Sequence, residues 1–261
     1  MGWGFAHVDG VRLRYEREGE GFPVVLVHPR LWDARIWDGQ FAEFARRHDT
    51  IRYDLRGHGG SDEPDRPYSD LRDLQRLLDE LGIGRCAVVG CGTGAQLAID
   101  FALAHPDVVD AIVPVAPALS GYRWSDEGLG LLSDEVDRAV AAGDPLRAME
   151  LELAVWAPRS SGDPSNAVRA IAMDNAQVLC MDESLIEPAP PAVARLGDVQ
   201  AATLVVVGDL DLAETHAIAD LIVRSIPGGA KRVISEADQL VNVGRPERFN
   251  QVVLDFLAFR M

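Results

Sequence analysis

Short apolar runs punctuate this chain and alternate with stretches in which apolar residues recur at helical spacing. The runs are VRLRYERE (Val11–Glu18), VVLVH (Val24–His28), TIRYD (Thr50–Asp54), CAVVG (Cys86–Gly90), AIVPVA (Ala111–Ala116), TLVVVG (Thr203–Gly208) and KRVIS (Lys231–Ser235). Strand-like runs separated by helical patterns predict crossover units and a mostly parallel sheet, an α/β class. Asp9-Gly10 joins FAHV to the first run and is a hairpin signal, so the chain is predicted to open antiparallel and continue parallel. Leu71, Leu74, Leu78 and Leu81 follow a helical period that stops at Gly82, a glycine suited to a C-terminal cap. Leu97, Ala98, Phe101 and Ala102 repeat the pattern and end before Pro106. The last helix is predicted from Pro246, with Phe249, Val252, Val253, Phe256 and Leu257 on one face.

From about Ser120 to Pro191 the rhythm changes. No strand-like run occurs, and the pairs Asp144-Pro145 and Asp163-Pro164 are both predicted to start helices. Aspartate accepts from free first-turn N–H groups, and proline suits the first helical position. Residues 120–191 are therefore read as a helical insertion into a core made of 1–119 and 192–261, with EPAPPAV (Glu187–Val193) as a stiff return linker.

Composition narrows the partners. Lys plus Arg number 25 against 41 Asp plus Glu, a formal charge of −16. A surface so acidic argues against nucleic acid and anionic membrane, both of which reward basic clusters. No apolar run approaches the ~20 residues that a membrane span needs. The N-terminus lacks a basic start and an apolar segment, so no signal peptide is expected. Three cysteines, Cys86, Cys91 and Cys180, form neither a disulfide framework nor a metal spacing. The expectation is a cytoplasmic protein with reduced thiols, no metal and no cofactor, meeting a small molecule and compatible with a homodimer.

One stretch carries candidate chemistry. In VVGCGTGAQLA (Val88–Ala98) an apolar run enters a glycine-rich turn and leaves as a small-residue helix. That is the outline of a nucleophile elbow, G-x-S-x-G, but the five positions are Gly90, Cys91, Gly92, Thr93 and Gly94. The middle residue has no side chain.

With these segments placed, the chain resembles the α/β-hydrolase superfamily with a helical cap, over essentially its full length. VVLVHPRLWDARIWD resembles the family's strand and oxyanion-loop segment, and YDLRGHGGSD (Tyr53–Asp62) its D-x-R-G-x-G-x-S loop. LVVVGDLD (Leu204–Asp211) is similar to the strand carrying the acid, and SEADQLVNVGRPERFNQVVLDFL to the segment carrying the histidine. The resemblance implies a mostly parallel eight-stranded sheet flanked by helices, with a ligand cleft between cap and core.

Carried over position by position, the resemblance puts the nucleophile site at Gly92, the base site at Gln239 and the acid site at Asp211. Such chemistry needs a nucleophile, a base to take its proton and an acid to orient the base. Of the three, only Asp211 keeps its expected type. Pro29 stands where the family has a glycine, leaving the Arg30 N–H and the Thr93 N–H as oxyanion donors. Cys91 is one residue early and is expected to pack as a small apolar group.

The cleft is expected to be bordered by Arg30, Trp32, Gly92, Thr93, Asp211 and Gln239, with Tyr122 and Trp156 from the cap side. The Gln239 amide is expected to donate to Asp211, leaving that carboxylate free to act as a general base on an acidic C–H or O–H. These residues point to a non-hydrolytic enzyme, a lyase, isomerase or cyclase. A ligand-holding pseudoenzyme and a residual esterase are the alternatives.

Overall fold

A computed structural model describes residues 2–124, 127–159 and 166–258, and for 127–132 the backbone alone. The strands are β1 (Gly2–Val8), β2 (Val11–Glu18), β3 (Pro23–Val27), β4 (Asp49–Tyr53), β5 (Cys86–Cys91), β6 (Val109–Val115), β7 (Ala202–Gly208) and β8 (Ala230–Ile234). The helices are α1 (Asp38–Phe44), α2 (Asp70–Glu80), α3 (Thr93–Ala104), α4 (Glu127–Ala141), α5 (Pro145–Trp156), α6 (Ala167–Asp174), α7 (Ala213–Ser225), α8 (Val241–Gly244) and α9 (Pro246–Ala258).

All eight strands form one sheet in the order β1-β2-β4-β3-β5-β6-β7-β8. β1 pairs antiparallel with β2 and β2 with β4, while every later pair is parallel. The α/β class, the antiparallel opening and the eight strands agree with the sequence expectation. The central strands are apolar at every position because both faces are covered. Val25, Val27 and Val88 pack with Leu74 and Leu77 of α2 and Phe101 of α3. Val24, Leu26 and Val89 turn the other way, onto Phe41 of α1 and Phe249 of α9.

Helix α2 shows how sequence fixes such an element. Ser69 caps its start by accepting from the Arg72 N–H, and Leu74, Leu77 and Leu78 bury one stripe. Burial of each leucine contributes about 1.5–3 kcal/mol. Gly82, at φ 70°, ends the helix in the left-handed conformation that glycine adopts without strain.

Between β6 and β7 the chain builds α4, α5 and α6. Asp144 caps α5 by accepting from the Arg147 N–H, with Pro145 at the first helical position. The Asp163-Pro164 pair lies outside the described residues, and α6 is capped by Asn166 through the Val168 N–H. Met149, Leu153 and Ile171 join the same apolar cluster as β3 and β5, so these helices complete one face of the core. Polar ties add direction. Trp32 Nε1 donates to the Val168 carbonyl (3.0 Å), and Asn175 Nδ2 donates to Asp33 (2.8 Å). Asn175 also accepts the Gly59 N–H (2.8 Å). On the return path Ile186 makes a single bridge with Tyr68, through Tyr68 N–H to Leu185 O (2.8 Å) and Glu187 N–H to Tyr68 O (2.7 Å). Among the described residues, no helix is long and apolar enough to cross a membrane.

Candidate functional site

The chain crosses from one side of β3 to the other when it forms β5, and the loops at the carboxyl ends of these two strands meet there. Open α/β sheets bind ligands at such a switch point. Pro29 and Arg30 follow β3, and Gly92 and Thr93 follow β5.

The three glycines of the elbow do different work. A Cβ on Gly90 would lie 2.1 Å from the Gly94 carbonyl oxygen, and one on Gly94 2.4 Å from that of Val27. Both are held by the close approach of α3 to the sheet. Gly92 is held by its backbone, at φ 56° and ψ −116°. A Cβ there would meet only Pro29 Cβ at 3.2 Å and Gln239 Nε2 at 3.5 Å. The Gln239 amide thus faces the elbow apex.

Around that apex lies a cavity of about 670 Å³. Arg30, Trp32, Gly92, Thr93, Trp156 and Gln239 line it, so six of the sequence candidates come together. Two do not. Tyr122 lines a neighbouring chamber instead, with its hydroxyl 3.2 Å from Glu214 Oε1. Asp211 is not part of the cavity wall.

Asp211 Oδ1 accepts the N–H of the next residue, Leu212 (2.8 Å), and Oδ2 is buried without a hydrogen-bond partner. The expected hydrogen bond from Gln239 is not formed: the glutamine amide turns to the apex, and Oδ2 is left without a donor. Burial pushes the Asp211 carboxyl up to about 6; the Leu212 N–H and the Thr215 hydroxyl oppose the rise, and the Asp238 carboxylate adds to it.

The oxyanion loop also departs from expectation. The Arg30 N–H donates to Thr93 Oγ1 (2.9 Å), so a donor expected to face the ligand is already spent. The Thr93 N–H remains in the first turn of α3, where N–H groups have no intrahelical acceptor. His28 braces this loop. Its Nε2 accepts the Leu55 N–H (3.0 Å), which leaves Nδ1 to donate to Pro29 O (3.0 Å). Burial holds the imidazole neutral, pushing its pKa down to about 4. Cys91 packs as expected, with its thiol 3.8 Å from Gln239 O and burial raising its pKa far above the usual thiol range.

Sequence reasoning missed one residue. Glu152 of α5 lines the cavity and accepts from Trp156 Nε1 (2.6 Å). Burial raises its pKa, opposed by the Trp156 N–H and by Arg30 and reinforced by Asp137. Arg30 itself pairs with Glu183 (2.5 Å) on the cavity rim. Among the described residues, no histidine lines this cavity. The cavity offers an aromatic wall, the half-buried Glu152 carboxyl with the exposed carboxylates Asp137 and Glu183, the Arg30 guanidinium, the Gln239 amide, the Ser133 and Thr215 hydroxyls and the helix-terminal Thr93 N–H.

A family model described as "Alpha/beta hydrolase family" matches residues 24–252. The chain belongs to the alpha/beta hydrolase family. It is 25% identical to a putative carbamate hydrolase, RutD, of Azorhizobium caulinodans, over 97% of each chain. It is 38% identical to epoxide hydrolase 3 of Xenopus tropicalis over 125 residues, 44% of this chain and 34% of that protein. The chain therefore spans only about a third of that relative's length. Among solved structures, a hydrolase from Pseudomonas aeruginosa PA01 superposes with a TM-score of 0.83 at 26% identity, covering 98% of both chains.

Proposed function

We propose that this family member binds a small, largely apolar molecule between residues 120–191 and the core, and that it does not hydrolyse it. The observation that carries the reading is the elbow apex: a glycine at φ 56° with the Gln239 amide facing it. In this reading Gly92 and Gln239 occupy the nucleophile and base positions. An amide cannot take and return a proton near neutral pH, and a glycine offers no oxygen, so an acyl-enzyme has no route.

The chemistry left to the cavity is proton transfer without a cofactor. Glu152, raised by burial toward working pH, is suited to take a proton from an acidic C–H or O–H of the ligand. Return of that proton to another atom gives an isomerisation, and expulsion of a leaving group gives a lyase. Asp211 is then scaffold, tying its own loop through Leu212. The three relatives described above are hydrolases by name, and the glycine and glutamine at the apex are the reason for departing from them. The test is the repurified full chain with generic aryl esters. No turnover above background is expected, and robust activity that survives repurification overturns the reading.

A further inference from the structure

Beside the apex cavity, and sharing with it Arg30, Thr93, Ala118, Trp124, Met181 and Glu183, lies a second chamber of about 630 Å³. Its walls come from the segment before α2, from α3, from the turn after β6 and from the return path around Ile186. An aromatic row joins the two spaces. Tyr122 meets Trp124 edge-on at 6.4 Å, and Trp124 meets Trp156 at 5.8 Å.

The charges in this wall are nearly all answered. Arg30 pairs with Glu183 (2.5 Å), and Arg72 with Glu187 (2.8 Å). Arg56 gives Nε and Nη2 to Asp73 (2.5 and 2.8 Å). Asp100 accepts the Ser120 hydroxyl (2.6 Å). Asp70 differs: among the described residues its carboxyl has neither an ion pair nor a hydrogen bond, yet it faces the chamber. Its position at the start of α2 suits an acid, since helix N-termini carry partial positive charge. That alone does not account for its facing the chamber beside Tyr68. Tyr68 is 4% exposed and also lines the chamber, and among the described residues its hydroxyl makes no hydrogen bond. Two polar groups two residues apart therefore open on one space with nothing to bind. Burial and the neighbouring Asp73 carboxylate push the Asp70 carboxyl up to about 7, against the opposing pull of Arg56.

We propose that the second chamber binds a protonated amine, its ammonium group between the Asp70 carboxylate and the Tyr68 hydroxyl, its apolar remainder along Trp124 toward the apex cavity. An ammonium group donates three hydrogen bonds and accepts none, which matches a carboxylate and a phenolic oxygen without competing donors. The other cations of the wall, Arg30 and Arg56, are paired with Glu183 and Asp73, while Arg56 keeps one buried Nη1 without a partner and draws the Asp70 carboxyl down without bonding it. An anionic group would be repelled by the Asp70 carboxylate, and a neutral one would bring it no charge beyond the partial one that Arg56 supplies.

The probe is 2-phenylethylammonium, titrated calorimetrically into the full chain at about pH 8, where Asp70 is ionised and the amine still protonated. 2-Phenylethanol is the neutral comparison. The amine is expected to bind at least about tenfold more tightly than the alcohol, and Asp70→Asn to remove that advantage, as loss of one partner in a desolvated charge pair does. Tyr68→Phe is expected to weaken the amine and leave the alcohol unchanged. Glu63→Gln, which removes the same unit of charge from an exposed loop, is expected to change neither. If Asp70→Asn does not fold, the Asp70 carboxyl resonance in the unaltered protein supplies the readout: it should shift on addition of the amine and not of the alcohol. Absence of amine binding, equal binding of the alcohol, or full affinity in Asp70→Asn overturns the proposal. Esterase activity in the unaltered protein would end the non-hydrolytic reading and leave this one standing, so the two fail separately.

Discussion

Gly92→Ser returns the missing hydroxyl to the elbow and is expected to weaken the fold without creating an enzyme. The substitution places a side chain on a backbone at φ 56° and ψ −116°, a region that costs an L-residue of order 1–3 kcal/mol. The new Cβ would sit 3.2 Å from Pro29 Cβ. Pro29 has little room to retreat, because its carbonyl is held by the Trp32 N–H (3.1 Å) and by His28 Nδ1 (3.0 Å). Gln239, 3.5 Å away, is a flexible side chain and yields at little cost. A loss of about 1–3 kcal/mol corresponds to a fall in melting temperature of roughly 2–10 °C for a chain of this size. Urea unfolding followed by tryptophan fluorescence measures it, and the same preparation is assayed with aryl esters. Esterase activity should stay at background, since no base faces the new oxygen. Adding Gln239→His should give a slow esterase. Its rate stays limited because the Arg30 N–H is committed to Thr93 Oγ1, and one oxyanion donor is worth about 10²–10³ in turnover. A Gly92→Ser protein as stable as the parent would refute the strain, and one that hydrolyses esters would reveal an unrecognised base.

Asp211→Asn is expected to flatten the dependence of stability on pH. The folded carboxyl titrates near 6 and the unfolded one near 3.8, so its penalty is absent below about pH 4, grows through 4–6, and reaches about 2–3 kcal/mol above that. Urea midpoints at about pH 4.5 and 7 for both proteins check this, and parallel slopes would refute it. Asp73→Ala strands Arg56, whose side chain is 2% exposed, and should cost about 3–5 kcal/mol. The double variant Arg56→Met, Asp73→Ala should recover most of that in chemical denaturation, and a cost under about 1 kcal/mol for Asp73→Ala alone would show the pair to be dispensable.

How much of this was legible in the sequence depended on how local the determining interaction was. The strand CAVVG was placed because two-faced burial demands an unbroken apolar run, and it extends one residue further, to Cys91. Gly82 and Asp144-Pro145 were legible because caps act within one helical turn. Glu152 was not: in LELAVW a glutamate reads as a surface residue, and only the packing of α5 over the elbow turns it inward. The second chamber was equally hidden, since its wall depends on Ile186 meeting Tyr68 across more than a hundred residues. The Asp211–Gln239 hydrogen bond was expected from family geometry and is absent: the Gln239 amide lies against the elbow apex, Asp211 Oδ1 takes the Leu212 N–H at 2.8 Å, and Oδ2 has no donor.

In the non-hydrolytic reading proposed above, family membership and activity part company at the elbow for a reason visible in its glycines. Gly90 and Gly94 admit no Cβ, at 2.1 and 2.4 Å from backbone carbonyls, whatever reaction the protein performs. They are conditions for seating α3 against β3 and β5 as this chain does. The middle residue has no such packing duty. Its strained backbone is worth holding for a serine only while an exposed hydroxyl repays the cost. Once hydrolysis is not required, glycine relieves the strain at no loss of packing, and the base facing it is free to become an amide. A motif can therefore be matched over its packing positions by a chain that has changed its chemistry at the single position where chemistry was done. Of the three elbow glycines, Gly92 alone combines a strained backbone with a Cβ position that meets side chains and no backbone atom of the neighbouring segments.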